Sequence, residues 1–182
     1  MELISFLNYR KKSTVSKAKK GDKEAFLGLI DENRLNLYRV ARGILKEKED
    51  IEDALQNTIT KSFRKINSLE KNEYFRTWII RILINECNEI LRKNKRVIHL
   101  DDNSDTDTEI YSDSYENMDL TRAINSLSEE LRLTTVLFYF EDMSLKDIAK
   151  MLKIPEGTVR SRLTRARIKL REVMSEVEAW CK

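Results

Sequence analysis

The chain of 182 residues contains only one proline and four glycines. This scarcity argues against a many-stranded sheet, because the tight turns between short strands use such residues. The long stretches between them repeat apolar residues every three or four positions, which is the helical period. With 41% hydrophobic and 36% charged residues, the composition predicts an all-α protein of one large domain or two small ones.

Cysteine, histidine and long apolar runs are also scarce or missing, and each absence argues against a class of function. Cys87 and Cys181 are the only cysteines, and they fit neither a zinc site nor a disulfide framework, which favours a reducing compartment. His99 is the only histidine, so the commonest general base and zinc ligand is nearly missing. No apolar run is long enough to span a membrane, and no signal peptide is evident. We therefore expect a cytoplasmic protein with no intrinsic membrane segment, no metal and no cofactor.

The net charge of +3 hides a strong segregation. Residues 1–96 carry 22 Lys and Arg against 14 Asp and Glu, and residues 120–182 carry 12 against 9. Residues 97–119 between them carry 8 acidic residues and no Lys or Arg. This acidic strip has little apolar periodicity and predicts a flexible linker. Its charge either serves solubility alone or keeps the two basic modules off DNA by repelling or mimicking nucleic acid. Residues 1–15 form an N-terminal extension before the first module, 16–96.

Residues 144–171, SLKDIAKMLKIPEGTVRSRLTRARIKLR, have the pattern of a helix-turn-helix. Ser144 is a candidate N-cap with Asp147 at the capping-box position. Lys153 and Ile154 would form the turn, and Pro155 suits the start of a second helix. The expected apolar face of the first helix consists of Leu145, Ile148, Ala149 and Leu152.

The second helix carries six basic residues on the side opposite its apolar row. That row, which would pack on the first helix, consists of Val159, Leu163, Ala166 and Leu170. The opposite side suits a recognition helix, whose central side chains reach base edges while the flanks hold phosphates. An ordinary solvated face would mix charges, whereas Glu156 and Glu172 lie only at the two ends. The expected DNA contacts are Thr158, Arg160, Ser161, Arg162, Thr164, Arg165 and Lys169.

The N-terminal module shows four amphipathic stretches that predict helices over 16–33, 35–46, 51–66 and 75–95, enough to enclose one core. In the third, the residues expected inward are Ile51, Ala54, Leu55, Ile59, Phe63 and Ile66. In the fourth, the residues expected inward are Trp78, Ile79, Ile82, Leu83, Cys87, Ile90 and Leu91.

The third predicted helix begins with acidic residues, which the helix dipole alone would favour. A metal-dependent nuclease could use Asp50, Glu52 and Asp53, but carboxylates at this spacing on a helix do not converge and no histidine assists them. A protein-docking face is the better functional interpretation. Its exposed polar row would be Gln56, Asn57, Thr60 and Arg64.

Aromatic and basic residues alternate at the start of the fourth predicted helix. Tyr74, Phe75 and Trp78 lie among Arg76 and Arg81, a combination that suits stacking on unpaired bases with cations along the backbone. Phe75 and Trp78 could instead be core residues, and this alternative is stronger for Trp78 than for Tyr74.

Four motifs together resemble a known family: NLYRVARGIL, DIEDALQNTITKSFRKI, FRTWIIRILINECNEILRKNKR and TVRSRLTRARIKL. They are similar, in order and spacing, to the extracytoplasmic-function group of sigma factors in the bacterial sigma-70 family. The resemblance spans residues 18–96 and about 120–173. It implies a four-helix sigma-2 domain and a helix-turn-helix sigma-4 domain, joined by the acidic linker.

The resemblance also implies roles for individual residues. The third helix would dock on the clamp coiled coil of the RNA polymerase largest subunit, although Asn57 and Ile59 depart from the glutamate and bulky aromatic often found there. The linker would pass near the RNA exit path. The implied docking residues are Asp50, Asp53, Leu55, Gln56, Asn57, Thr60 and Arg64. The residues implied to capture and melt the downstream promoter element are Asn72, Tyr74, Phe75, Arg76, Thr77, Trp78, Arg81, Asn85, Asn88 and Arg92.

The upstream promoter element would be read in the major groove by Arg160, Ser161, Thr164 and Arg165. The implied partners are core RNA polymerase, promoter DNA and a membrane-bound anti-sigma factor. The implied activity is recruitment and melting without covalent chemistry, so the protein would not be an enzyme and would have no catalytic residues. The alternative is a stand-alone helix-turn-helix regulator, but no heptad or second apolar stripe is evident to form its dimer interface.

Overall fold

The computed structural model describes residues 13–98 and 118–180, which contain helices and turns and no strand. This confirms the all-α prediction for the described parts of the chain. They fall into two compact units that divide between Asp101 and Asp102. Residues 1–12, most of the predicted linker with His99, and Cys181 lie outside the described residues.

Between residues 13 and 98, the first unit contains four helices: α1 over 13–19, α2 (Lys23–Arg42), α3 (Lys48–Lys65) and α4 (Phe75–Ile98). Two 3-10 turns, Ile66–Ser68 and Asn72–Tyr74, connect α3 to α4.

The two predicted helices over 16–33 and 35–46 are wrong in their boundaries. The chain breaks earlier, where Gly21 has a φ of 93° and the Asp22 carboxylate caps α2 by accepting from the Ala25 N–H at 3.0 Å. α2 then continues past Asn33, whose side-chain amide donates to the Leu29 carbonyl at 2.7 Å. Because that bond satisfies the buried amide within the helix, Asn33 does not end it.

The buried face of α3 includes small polar residues that the apolar pattern did not identify. Thr58 and Ser62 are buried, and their hydroxyls donate to backbone carbonyls one turn back at 2.7 and 3.0 Å. Phe63, expected inward, is 38% exposed and meets Phe26 edge-on, with 5.1 Å between ring centroids. Because these hydroxyls are satisfied locally, the two small polar side chains can be buried in the core.

The buried face of α4 is also rotated from the predicted one. Ile79, Leu83 and Cys87 are buried as expected, whereas Trp78, Ile82, Ile90 and Leu91 are only half-buried. The buried positions that the sequence pattern missed are Ile80, Ile84 and Glu86, and Phe75, for which a core position was the alternative, is buried as well.

An ion pair joins α3 and α4 at the edge of this core. Lys61 Nζ lies 2.6 Å from the buried Glu86 Oε2 and 3.6 Å from Glu89 Oε2. The hydrogen bond from Lys61 to Glu86 raises the pKa of the Lys61 ammonium, so Lys61 is charged at neutral pH. Burial raises the pKa of the neighbouring Cys87 thiol to about 12, which leaves this cysteine as an unreactive core residue.

The second unit contains α5 (Met118–Asn125), α6 (Glu129–Thr135), α7 (Leu145–Leu152) and α8 (Glu156–Trp180). α6 continues into a π-helical turn, Val136–Phe140. α8 is the central helix of this unit, since α5, α6 and α7 all pack against it.

The helix-turn-helix forms where the sequence predicts it. The Ser144 hydroxyl oxygen accepts from the Asp147 N–H at 3.1 Å, and the two side chains are 2.6 Å apart. The turn is made by Lys153 in the left-handed conformation, with a φ of 55°. The predicted face of α7 is right for Ile148, but Met151 is its second buried residue, and Leu145, Ala149 and Leu152 are half-buried.

Candidate nucleic-acid interface

One side of α8 is buried and the other is open to solvent. Val159, Leu163 and Ala166 are buried in the unit, as predicted, and Leu170 is half-buried. The hydroxyls of Ser161 and Thr164 donate to carbonyls of their own helix, which leaves oxygen lone pairs directed outward as hydrogen-bond acceptors. The exposed row of α8 comprises Arg160, Ser161, Thr164, Arg165 and Ile168.

Two cations on α8 lie near acidic neighbours on the same helix. Arg160 is 3.6 Å from Glu156, and Lys169 is 3.4 Å from Glu172. Exposed pairs of this kind contribute about 0–1 kcal/mol, so a phosphate or a base can displace them. Within the part of the chain that the structure describes, Arg165 makes no ion pair.

The position of Arg162 does not fit the expectation that this residue contacts DNA. Its side chain is only 14% exposed, and its Nη2 lies 2.8 Å from Glu130 Oε2 on α6. Its Nε is buried without a hydrogen-bond partner. The reason is its position beside the buried row of α8, which directs the guanidinium over α6. Thr158 is half-buried at the start of the same helix.

A second exposed strip runs along α4. Arg81, Asn85, Asn88 and Arg92 are exposed, and their spacing of four, three and four residues places them on one face of the helix. Arg92 Nε donates to the Asn88 carbonyl at 3.3 Å. Arg76, Thr77 and Trp78 are half-buried at the N-terminal end of this strip.

The two aromatic residues before this strip, Tyr74 and Phe75, differ in exposure. Tyr74 is 54% exposed, whereas Phe75 is 4% exposed. Phe75 is the first residue of α4, and its ring lies in the core with its centroid 5.9 Å from that of Trp78. Phe75 therefore cannot stack on a base without leaving the core, which corrects the expectation that both rings are available. Lys71 Nζ lies 5.7 Å from the centroid of the Tyr74 ring.

The predicted docking residues of α3 divide into exposed and half-buried ones. Asp50 is half-buried and accepts a hydrogen bond from Asn94 Nδ2 of α4 at 2.8 Å. Leu55 is also half-buried. The exposed members share one face of α3 and are Asp53, Gln56, Asn57, Thr60 and Arg64.

The described segments lack two other kinds of feature. No group of three or more His, Cys, Asp and Glu side chains there is arranged to hold a metal ion. No helix in the same segments is both long and apolar enough to cross a bilayer.

Comparison with known proteins identifies the family. The family model for Sigma-70 region 2 matches residues 29–97, and that for Sigma-70, region 4 matches residues 117–170. The ECF RNA polymerase sigma factor SigM of Mycobacterium tuberculosis is 31% identical over 164 residues, which cover 85% of this chain and 79% of SigM. The chain belongs to the extracytoplasmic-function group of the sigma-70 family.

Other relatives support this sigma-factor assignment. The ECF RNA polymerase sigma factor SigW of Bacillus subtilis is 28% identical over 182 residues, which cover 91% of this chain and 97% of SigW. The sigma factor RpoE of Bartonella quintana, solved in complex with the anti-sigma factor NepR, is 27% identical with a TM-score of 0.70. That alignment covers 81% of this chain and 97% of RpoE.

As a sigma factor, the protein directs core RNA polymerase to promoters, and the stand-alone regulator is not favoured. The region 2 match begins within α2 and ends in α4, so the exposed faces of α3 and α4 lie inside it, whereas α1 precedes it. The region 4 match includes the helix-turn-helix.

Proposed function

We propose that the two domains divide promoter recognition between them. Residues 16–96 would bind core polymerase and open the downstream element, residues 120–182 would read the upstream element, and residues 97–119 would connect them. The observation that carries this proposal is the presence of an exposed polar or basic helix face in each of two separately packed units. With both domains held by polymerase, promoter spacing is read as geometry, and each bound site raises the effective concentration of the other.

Arg160 and Arg165 are the proposed readers of the upstream element. Both are exposed on the open side of α8, whose opposite side is buried against the rest of its unit. A bidentate arginine on guanine contributes about 1–3 kcal/mol of discrimination in the major groove. Ser161 and Thr164 lie between them and offer hydroxyl oxygens to base amino groups.

Tyr74 and the α4 strip are the proposed elements for opening DNA. The exposed ring offers a stacking platform for an unpaired base, and Arg81 and Arg92 offer cations to the strand that carries it. Stacking would offset the few kcal/mol that unpairing a base costs. The capture of unpaired bases therefore drives melting without covalent chemistry, and we infer no enzymatic activity.

We further infer a cytoplasmic location and a membrane-bound anti-sigma partner. The location follows from the work of a sigma factor on polymerase and chromosomal DNA. An anti-sigma partner is suggested by the relative RpoE, which was solved with an anti-sigma factor, and its membrane attachment is implied by the family resemblance. Such a partner would keep the sigma factor inactive by covering the surfaces that polymerase and DNA use.

Transcription with purified components tests the proposed function. We expect the protein and core polymerase, incubated together with genomic DNA, to yield transcripts from discrete promoters that neither yields alone. We also expect the protein to co-purify with core polymerase at moderate salt. Sequence-specific DNA binding without polymerase, combined with failure to co-purify, would instead support the stand-alone regulator.

Arg165 and Arg162 should respond differently to replacement by alanine. In the holoenzyme, Arg165→Ala should cost about 1–3 kcal/mol of promoter affinity and relax the preference at one upstream base pair. Arg162→Ala should leave the salt dependence of binding unchanged, because the guanidinium is already paired with Glu130. If Arg162 did contact a phosphate, its loss would lower the slope of log affinity against log salt concentration by about one. Filter binding over a salt series with single-base promoter variants measures both effects.

Two results would contradict these assignments. Unchanged promoter preference with Arg165→Ala would show that α8 does not read bases through this residue. A reduced salt slope with Arg162→Ala would show that its ion pair with Glu130 opens on DNA.

A further inference from the structure

No individual residue of helix α1 has a role in the functions described so far. It covers residues 13–19 and precedes the residues that the region 2 family model matches. Val15 and Ala18 are buried, so α1 is packed into the first unit even though the sequence indicated an N-terminal extension up to residue 15.

Two side-chain hydrogen bonds tie α1 to the connection between α3 and α4. Lys19 Nζ donates to the Leu69 carbonyl, across 50 residues of sequence. Asn72 Nδ2 donates to the Ser16 hydroxyl oxygen at 2.7 Å, across 56 residues. Both bonds reach the short segment that precedes Tyr74.

The segment 69–74 is fixed by contacts at several residues, yet the ring of Tyr74 is exposed. Leu69 and Phe75 are buried on either side of it, and the Tyr74 N–H donates to the Lys71 carbonyl at 3.0 Å. Between the two buried anchors, Tyr74 is exposed. The bonds from α1 hold the segment between those anchors, so the tyrosine ring is presented on a supported backbone.

We propose that Ser16 and Lys19 are positioning residues for promoter opening, because they hold the segment 69–74 in the conformation that presents Tyr74. This inference rests on the proposed role of Tyr74 in stacking on an unpaired base. A ring on a preorganised segment can capture a base without the entropic cost of ordering the backbone at that moment. In this arrangement Asn72 acts through its bond to Ser16.

Opening kinetics test this proposal. With saturating holoenzyme, we expect Ser16→Ala and Lys19→Met each to slow promoter opening by about three- to tenfold, the size expected for one net hydrogen bond. Permanganate reactivity of thymines over time measures opening, and gel shift measures total promoter binding, which should not change. Lys17→Met is the matched control, since Lys17 is exposed on the same helix and its replacement removes the same charge. Lys19→Arg keeps a donor and should restore most of the rate.

A purely structural role would produce a different pattern. If the substitutions only destabilised the domain, transcription would fall equally on a promoter whose downstream element is already unpaired by mismatches. We expect the mismatched template to restore near wild-type rates instead. A double-mutant cycle should show that Ser16→Ala adds little to Asn72→Ala, because both remove the same bond.

The outcomes separate this inference from the proposed function. Wild-type opening rates with Ser16→Ala and Lys19→Met, together with slow opening by Tyr74→Ala, would overturn the role of α1 and leave the role of Tyr74 intact. Wild-type opening by Tyr74→Ala would overturn both. Equal loss on paired and mismatched templates would also overturn the role of α1, in favour of simple stabilisation.

Discussion

A sigma factor carrying Asp53→Ala, Gln56→Ala and Asn57→Ala together should fail to bind core RNA polymerase. These three side chains are exposed on one face of α3, and central interface residues each contribute about 2 kcal/mol or more when they are hot spots. Even if only one of the three is a hot spot, the loss is more than tenfold in affinity. We expect no co-purification at moderate salt and no promoter-specific transcript.

The matched control for this variant is Lys65→Ala. Lys65 is exposed on the same helix, and at 100° per residue it lies about 80° or more around the helix axis from Asp53, Gln56 and Asn57. Both proteins should melt within a few degrees of the wild type, because exposed substitutions usually change stability by about 0.5 kcal/mol or less. Wild-type polymerase binding by the triple variant would show that α3 is not the docking helix.

The second large effect is expected at Tyr74. The holoenzyme with Tyr74→Ala should still bind promoter DNA as a closed complex but should open it about tenfold more slowly or worse, since stacking on an aromatic ring contributes about 1–3 kcal/mol per base. Permanganate footprinting of the downstream element measures the opening directly. Tyr74→Phe keeps the ring and should open DNA at close to the wild-type rate.

Phe75 provides the contrast that separates stacking from stability. It is buried at the start of α4, so Phe75→Ala should lower the free energy of unfolding by about 3–5 kcal/mol. The transcription defect of Phe75→Ala should therefore be accompanied by a lower melting temperature. The melting temperature of Tyr74→Ala should stay close to that of the wild type. Thymines that remain as reactive with Tyr74→Ala as with the wild type would rule out the proposed stacking role.

The sequence predicted the helix-turn-helix well because the signals for it are local. The cap at Ser144 and Asp147 and the buried row of α8 depend on residues within one or two turns of each other. The helical period therefore indicated correctly that Arg160 and Arg165 are exposed. The four family motifs also lie in segments that the sequence shows directly.

The predictions that failed depended on packing between distant segments. Whether a helix could continue through Asn33 depended on how its buried amide was satisfied, and the apolar period of α3 could not show that Thr58 and Ser62 face the core. The burial of Phe75, which had been expected to stack on a base, follows from the point at which α4 begins and turns its first ring inward.

The sequence by itself determined the helical class, the helix-turn-helix and the resemblance to sigma factors, because helical periodicity, capping residues and motif order are properties of neighbouring residues. Only the tertiary structure decided which candidate side chains are available to a partner. Arg162 is held by Glu130 on another helix, and the segment before Tyr74 is tied to α1 by bonds that span 50 or more residues. Contacts over such separations arise only when the chain has folded, so a local pattern contains no signal for them.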